Sequence, residues 1–177
     1  DFYNKRRAQL LDVQPNPGHK ILVELEKYFN VQIITQNVDD LHERAGSKNV
    51  LHLHGELLKV RSTQNPDYVV ECTTDINLGD TCPNGHQLRP HIVWFHEDVP
   101  EFDKAKIIAV NADIMLVIGT SLQVYPAASL VEYVRPNVPI IYIDPNPDIE
   151  TTNKRFHIMP YTASEGMELI KEQLKGI

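Results

Sequence analysis

The sequence predicts an α/β fold: a doubly wound, Rossmann-like parallel sheet with a small inserted β-rich module. Three observations carry this reading. Segments with helical spacing alternate with short, near-continuous apolar runs, the pattern of parallel strands buried on both faces by their crossover helices. The alternation fails over residues 57–93, where strand-like runs are separated by Asn, Asp, Gly and Pro. It then resumes and continues to the end of the chain.

The elements follow in order. The first residues, from Asp1 onward, have the character of a helix interior, and with no methionine at the start an N-terminal part is expected to be missing. Over residues 17–30, Ile21, Leu22, Leu25, Tyr28 and Phe29 recur on one helical face behind Pro17, which suits a first turn. Val31-Gln32-Ile33-Ile34-Thr35 is a short β-branched run that predicts a buried strand, and Gln36-Asn37-Val38-Asp39-Asp40 a polar loop after it. After the Ala45-Gly46-Ser47 turn, Val50-Leu51-His52-Leu53-His54 predicts a second strand that ends at Gly55.

Within the irregular region, Leu57-Leu58-Lys59-Val60 and Tyr68-Val69-Val70 read as short strands. Beyond it come a helix around residues 101–111, the strand Ile114-Met115-Leu116-Val117-Ile118 and a helix from Pro126 to about Val134. The strand Pro139-Ile140-Ile141-Tyr142-Ile143 and a helix near residues 164–175 complete the pattern. Residues 1–56 and 94–177 are therefore assigned to the main domain and residues 57–93 to the small module.

Composition narrows the function classes. A chain of 177 residues and 20.2 kDa, 42% hydrophobic, buries one core with a small appendage. A net charge of -7, a pI near 5.6 and no long Lys or Arg run argue against direct nucleic-acid binding. No apolar stretch approaches the roughly 20 residues that span a bilayer, and no signal-peptide pattern is present, so a soluble protein with no membrane partner is expected. The only cysteines, Cys72 and Cys82, are too few for a disulfide framework or a four-cysteine zinc site, which fits a cytoplasmic location.

Ligands of open parallel sheets bind outside the carboxyl ends of the strands. The segments there are Gln36-Asn37-Val38-Asp39, His54-Gly55, Gly119-Thr120-Ser121 and Asp144-Pro145-Asn146. Gly119 lets the backbone approach a ligand, and Thr120 and Ser121 add hydroxyls suited to phosphate or ribose, although a plain strand-to-helix turn has the same composition. Asp144 is placed to bond a ribose hydroxyl, yet Asp-Pro-Asn-Pro is also ordinary turn chemistry. His52 and His54, two apart on a strand, face one side, a spacing that also serves a metal. Gly55 ends the strand and leaves the His54 imidazole at the ligand rim as a candidate general base, with His52 deeper and structural.

Four stretches resemble the sirtuin family in order and spacing. They are Thr35-Gln36-Asn37-Val38-Asp39-Asp40-Leu41-His42, His52-Leu53-His54-Gly55-Glu56, Arg89-Pro90-His91-Ile92-Val93-Trp94-Phe95 and Gly119-Thr120-Ser121-Leu122-Gln123-Val124-Tyr125-Pro126-Ala127. The resemblance implies an NAD-dependent protein-lysine deacylase whose main domain binds NAD. It implies that Gln36, Asn37 and Asp39 line the nicotinamide and ribose part of the site, and that Gly119, Thr120 and Ser121 hold the adenosine side. Asp144 falls where the family often has an asparagine. In that chemistry the acyl-lysine carbonyl oxygen attacks the nicotinamide ribose and nicotinamide leaves. His54 then activates a ribose hydroxyl to attack the resulting imidate, giving free lysine and acylated ADP-ribose.

The same resemblance implies that the segment from Val93 to Glu97 and the stretch around Val124 pair with an acyl-lysine protein or peptide as an added strand, while Val93 and Phe95 wall the acyl tunnel. Tyr3 and Arg6 match the Tyr-x-x-Arg pair of sirtuins that remove succinyl and malonyl groups, so deacetylation, desuccinylation and demalonylation are all expected.

The sequence also departs from the family pattern. The glycine-rich phosphate loop is absent from these residues, so they alone are expected to bind NAD poorly. A noncatalytic NAD or ADP-ribose-binding module is the competing reading. Ser62 stands where the first zinc cysteine is expected, so the module is expected to hold no metal, with zinc unlikely even if His86 is recruited. His96 replaces the glycine usual after Trp-Phe.

Overall fold

Local chemistry starts the helices. In the computed structural model, which describes residues 1–147 and 152–176, α1 (Phe2–Asp12) opens the chain as a helix, as expected. α2 (Pro17–Leu25) begins at Asn16, whose side chain accepts from the His19 N–H while His19 Nδ1 accepts from the Asn16 N–H. Such a reciprocal cap satisfies two otherwise orphaned donors and contributes about 1 kcal/mol. α6 (Ala163–Lys175) starts on the same device, built from Thr162 and Glu165.

The parallel strands form two hydrogen-bonded sets. β1 (Ile33–Thr35) pairs in parallel with β2 (Val50–His52) across α3 (Leu41–Ala45). β6 (Met115–Ile118), β7 (Ile140–Ile143) and β8 (Phe156–Met159) form a second parallel set in that order. α4 (Phe102–Asn111) precedes β6, and a 3-10 turn at Ala127–Ser129 leads into α5 (Leu130–Tyr133) before β7. The carboxyl ends of β1 and β6 are joined by side chains, Gln36 Nε2 donating to Thr120 Oγ1 at 3.3 Å. The two parallel sets thus meet at the carboxyl ends of their strands, the side on which such sheets take ligands.

Burial shows that the sheet is wound on both faces. β7 is the central strand of its set, with Ile140, Tyr142 and Ile143 all fully buried. Along β6 the side chains alternate. Leu116 and Ile118 join Ile143 and the α2 and α6 residues Ile21, Leu25, Met167, Ile170 and Leu174. Met115 and Val117 face the other side, where Tyr142, Leu122 and Val131 lie. Met115 also packs on the cluster of Ala105 and Ala109 from α4 with Leu130, Val134, Val138 and Leu53.

The small module is antiparallel. β3 (Gly55–Ser62) is flanked by β4 (Val69–Glu71) and β5 (Leu88–Ile92). Both expected strands are present. Arg7 of α1 is 1% exposed beneath this sheet, its Nε donating to the Leu57 carbonyl and its Nη1 to Asn4 Oδ1 and the Thr74 carbonyl.

Several boundaries differ from expectation, each for a local reason. α2 stops at Leu25, because Tyr28 and Phe29 belong to the turn that follows, where both N–H groups reach the Leu25 carbonyl. The strand expected over residues 50–54 ends at His52, because Gly55, at a φ of 81°, turns the chain and begins β3. α3 was not foreseen: its five residues are too few to show a period, but Gly46 caps it in the left-handed conformation and Arg44 pairs with Asp40 one turn back. The helix expected from Pro126 begins instead as a 3-10 turn. β8 was missed because it is an edge strand with exposed His157 and Ile158, so its apolar pattern is weak.

Candidate active site

Gly55 decides where His54 sits. A Cβ at this position would overlap the His91 carbonyl oxygen, and its φ of 81° disfavours any side chain. Glycine therefore allows β3 to cross close to β5 immediately after His54. His54 occupies the junction between the parallel pair and the antiparallel module, with its carbonyl accepting from the Val93 N–H at 3.0 Å.

The imidazole is oriented by one bond. His54 Nδ1 lies 3.2 Å from the Gln36 carbonyl oxygen, which only accepts, so Nδ1 carries the proton. In the neutral ring this leaves the lone pair on Nε2, the tautomer that a general base needs. Gln36 thus links two of the expected site segments: its carbonyl holds His54 and its amide holds Thr120.

The remaining residues of the β1 loop are shaped locally. The Asn37 N–H donates to Thr35 Oγ1 at 3.0 Å and its side chain is exposed, while Asp39 Oδ1 accepts from the Leu41 N–H at 3.1 Å at the start of α3. Gly119 has a φ of 61° and open space where a Cβ would stand, so the backbone there forms a cradle that a ligand can enter. The Thr120 carbonyl accepts from the buried Tyr142 hydroxyl at 2.8 Å, and Ser121 is exposed. Asp144 Oδ1 accepts from the Asn146 N–H at 2.8 Å, ordinary turn chemistry at the end of β7.

His52 plays a different part from His54. Its Nε2 pairs with Glu43 Oε1 at 2.7 Å and its side chain is only 8% exposed. The two rings take separate partners, and among the described residues no group of three or more His, Cys, Asp or Glu side chains is arranged for a metal. In the module, Cys82 Sγ is 3.5 Å from Ser62 Oγ and 4.0 Å from His86 Nδ1, whereas Cys72 bonds the Thr74 carbonyl. These residues do not fit a tetrahedral zinc set.

On the β5 side, Val93 is partly buried, Phe95 is 88% exposed and Val124 is 43% exposed. Phe95 is therefore not a core residue. The Trp94 ring takes the Arg89 guanidinium 3.6 Å from its centroid and stacks with Tyr3 at 6.4 Å. Arg6 is exposed, donating to Gln9 Oε1 and resting 5.4 Å from the Phe2 ring. Arg89 and Glu97, which the sequence marks only as the ends of longer stretches and to which it gives no role of their own, organise this region. Arg89 holds Glu97 in a fork at 2.7 and 3.0 Å, and this bonding, against the effect of burial, holds the Glu97 carboxyl down at about 2. Their opposite charges eight residues apart, straddling Trp94-Phe95, were the available signal.

Residues 1–126 match the model of the Sir2 family. The chain belongs to the Sir2 family. Among Sir2 relatives, it is 60% identical over 147 residues to an NAD-dependent protein deacylase of Aggregatibacter actinomycetemcomitans, covering 83% of this chain and 71% of that protein. It is 51% identical over 180 aligned residues to an NAD-dependent protein deacylase of Bacteroides thetaiotaomicron, covering 98% of this chain and 77% of that one. The Sir2 fold superposes on a Sir2 homologue solved in complex with NAD, with a TM-score of 0.88, 37% identity and 99% and 70% of the two chains covered. A Sir2 structure with bound acetylated peptide matches with a TM-score of 0.78 at 28% identity, over 93% and 73% of the two chains.

Proposed function

We propose that the protein is an NAD-dependent protein-lysine deacylase with His54 as its general base. The observation that carries this reading is the His54 Nδ1–H bond to the Gln36 carbonyl. It leaves Nε2 as an acceptor beside Gln36, the residue that bridges the β1 and β6 ends, and the relatives named NAD-dependent protein deacylases support the reading.

The residues after the strands have the chemistry that NAD needs: Gly119 has open space beside its backbone, Gln36 and Thr120 are bonded to each other, and Asn37, Asp39, Ser121 and Asp144 add polar groups in the same loops. When bound, NAD supplies the ribose that takes up the acyl group as nicotinamide departs. His54 Nε2 accepts the proton of a ribose hydroxyl, and the Gln36 carbonyl stabilises the imidazolium by remaining hydrogen-bonded to Nδ1. Val93, Phe95 and Val124 flank the acyl-lysine, and their segments pair with an extended peptide as an added strand. Tyr3 and Arg6 read an acidic acyl end. No helix among the described residues is long and apolar enough to cross a membrane, and the two free thiols suit a reducing cytoplasm.

The test is an assay of the full-length protein with NAD and peptides carrying acetyl-, succinyl- and malonyl-lysine. Release of free lysine and nicotinamide in equal amounts is expected. Binding of ADP-ribose without turnover on any of the three peptides would replace this reading by that of a noncatalytic module.

A further inference from the structure

We infer that Glu97 is a positioning residue for the acyl-lysine segment, acting through Trp94 and Arg89; the inference rests on the deacylase reading above. The loop in question joins β5 to α4 and carries Val93 and Phe95. Its first residue is tied to the base, since the Val93 N–H donates to the His54 carbonyl. Four residues further along the loop is Glu97, whose carboxylate gathers four N–H donors. Arg89 supplies two, Arg61 Nη2 a third at 3.2 Å and the Trp94 backbone the fourth at 2.9 Å. Arg89 Nη2 and Arg61 Nη2 also donate to the Ile92 carbonyl, at 3.0 and 3.3 Å, so the same cations hold the residue just before the loop.

The arrangement does more than join two elements. The Arg89 guanidinium that forks onto Glu97 also lies on the Trp94 ring, and Trp94 stacks with Tyr3. One carboxylate therefore sets the loop backbone at Trp94 and, through Arg89, the plane of the indole against which Tyr3 rests. Between the tied ends, His96 adopts a φ of 71°, a left-handed conformation that a side chain takes only where the surroundings enforce it. Phe95 and His96 are exposed, so packing does not impose this φ; a turn closed by the Glu97 N–H on the Trp94 carbonyl at 3.1 Å does, and the Glu97 carboxylate braces that turn by accepting from the Trp94 N–H. A loop fixed before the peptide arrives spares the ordering cost of binding. Losing the clamp should therefore appear in substrate affinity.

Glu97→Gln tests this, because glutamine keeps the shape and one acceptor oxygen but loses the charge and the fork. Trp94 is the one tryptophan of the sequence, so its emission reports the loop directly. In the full-length protein, Glu97→Gln is expected to shift Trp94 emission and to weaken binding of an acetyl-lysine peptide by about tenfold, at the lower end of what a charge-assisted hydrogen bond supplies. The loss should fall on KM for the peptide rather than on kcat, with NAD affinity within about twofold of the parent, and Glu97→Asp should recover part of it. Unchanged peptide binding would overturn the inference. So would parallel losses of peptide affinity, NAD affinity and Tm, which mark a purely structural ion pair. A parent protein that binds the peptide but never releases lysine sinks the deacylase reading alone, because emission and peptide affinity still measure the loop.

Discussion

His54 Nδ1 donates to the main-chain carbonyl of Gln36 at 3.2 Å, and Gln36 Nε2 donates to Thr120 Oγ1 at 3.3 Å. One glutamine therefore orients the base through its backbone and ties it to the second half of the sheet through its side chain.

The first prediction follows from that bond. His54→Ala or His54→Tyr in the full-length protein should lower deacylation at least about a hundredfold, the scale of lost general-base catalysis. The fold should survive, because among the described residues the ring holds only the Gln36 carbonyl. Circular dichroism and steady-state rates check both halves, and near-parent turnover in a folded variant would remove His54 from the role.

Acyl choice gives the second. Arg6 is exposed on α1, its guanidinium engaged among the described residues by Gln9 and the Phe2 ring, so it can turn to a succinyl carboxylate at little cost. Arg6→Met is expected to depress desuccinylation roughly tenfold or more, the worth of a charge-assisted bond, while deacetylation stays within a few-fold. Equal losses on the two peptides would show that Arg6 supports the helix rather than the acyl group.

Acid stability gives the third. The Glu97 carboxyl is held at about 2 against an ordinary 4.5, chiefly by the Arg89 hydrogen bond. The native state then binds fewer protons than the unfolded chain between these values, so this contribution to stability is full above pH 4.5 and disappears as pH falls toward about 2. The Tm of the parent should decline across that window more steeply than that of Glu97→Gln. Identical acid profiles would contradict the assignment.

Two backbone positions give the fourth. Gly55→Ala places a Cβ on the His91 carbonyl at a positive φ and should cost about 3 kcal/mol, seen as a loss of folded protein or a large fall in Tm. His96→Gly relieves a left-handed φ and should gain up to about 1 kcal/mol, whereas His96→Val should lose stability. Denaturant unfolding of the two position-96 variants separates them, and equal stability would refute a strained loop.

Much of this was legible in the sequence, because it depends on local chemistry. Apolar runs such as Met115 to Ile118 revealed the strands that are buried on two faces, and Gly55 and Gly119 marked the turns at which the backbone needs freedom. What escaped notice depends on pairing between distant residues. α3 is shorter than a readable period, and β8 shows an apolar face only once β7 is beside it. The Arg7 contacts with Leu57 and Thr74, and the Arg61 contact with Glu97, join residues more than 35 positions apart, which no local pattern records. Arg7 and Arg6 are adjacent and chemically identical, so only the packing of α1 tells the buried one from the exposed one.

The position of the three-stranded sheet has a practical consequence. Its near end is anchored at His54 and Gly55, while the turns at its far end hold Leu78, 97% exposed, and Gly79 and Gly85, around which a Cβ would meet nothing. An epitope, a spectroscopic label or a tether to a surface attached at Leu78 can therefore be carried without altering register at the imidazole, making that tip a handle by which the protein can be held and watched while it turns over.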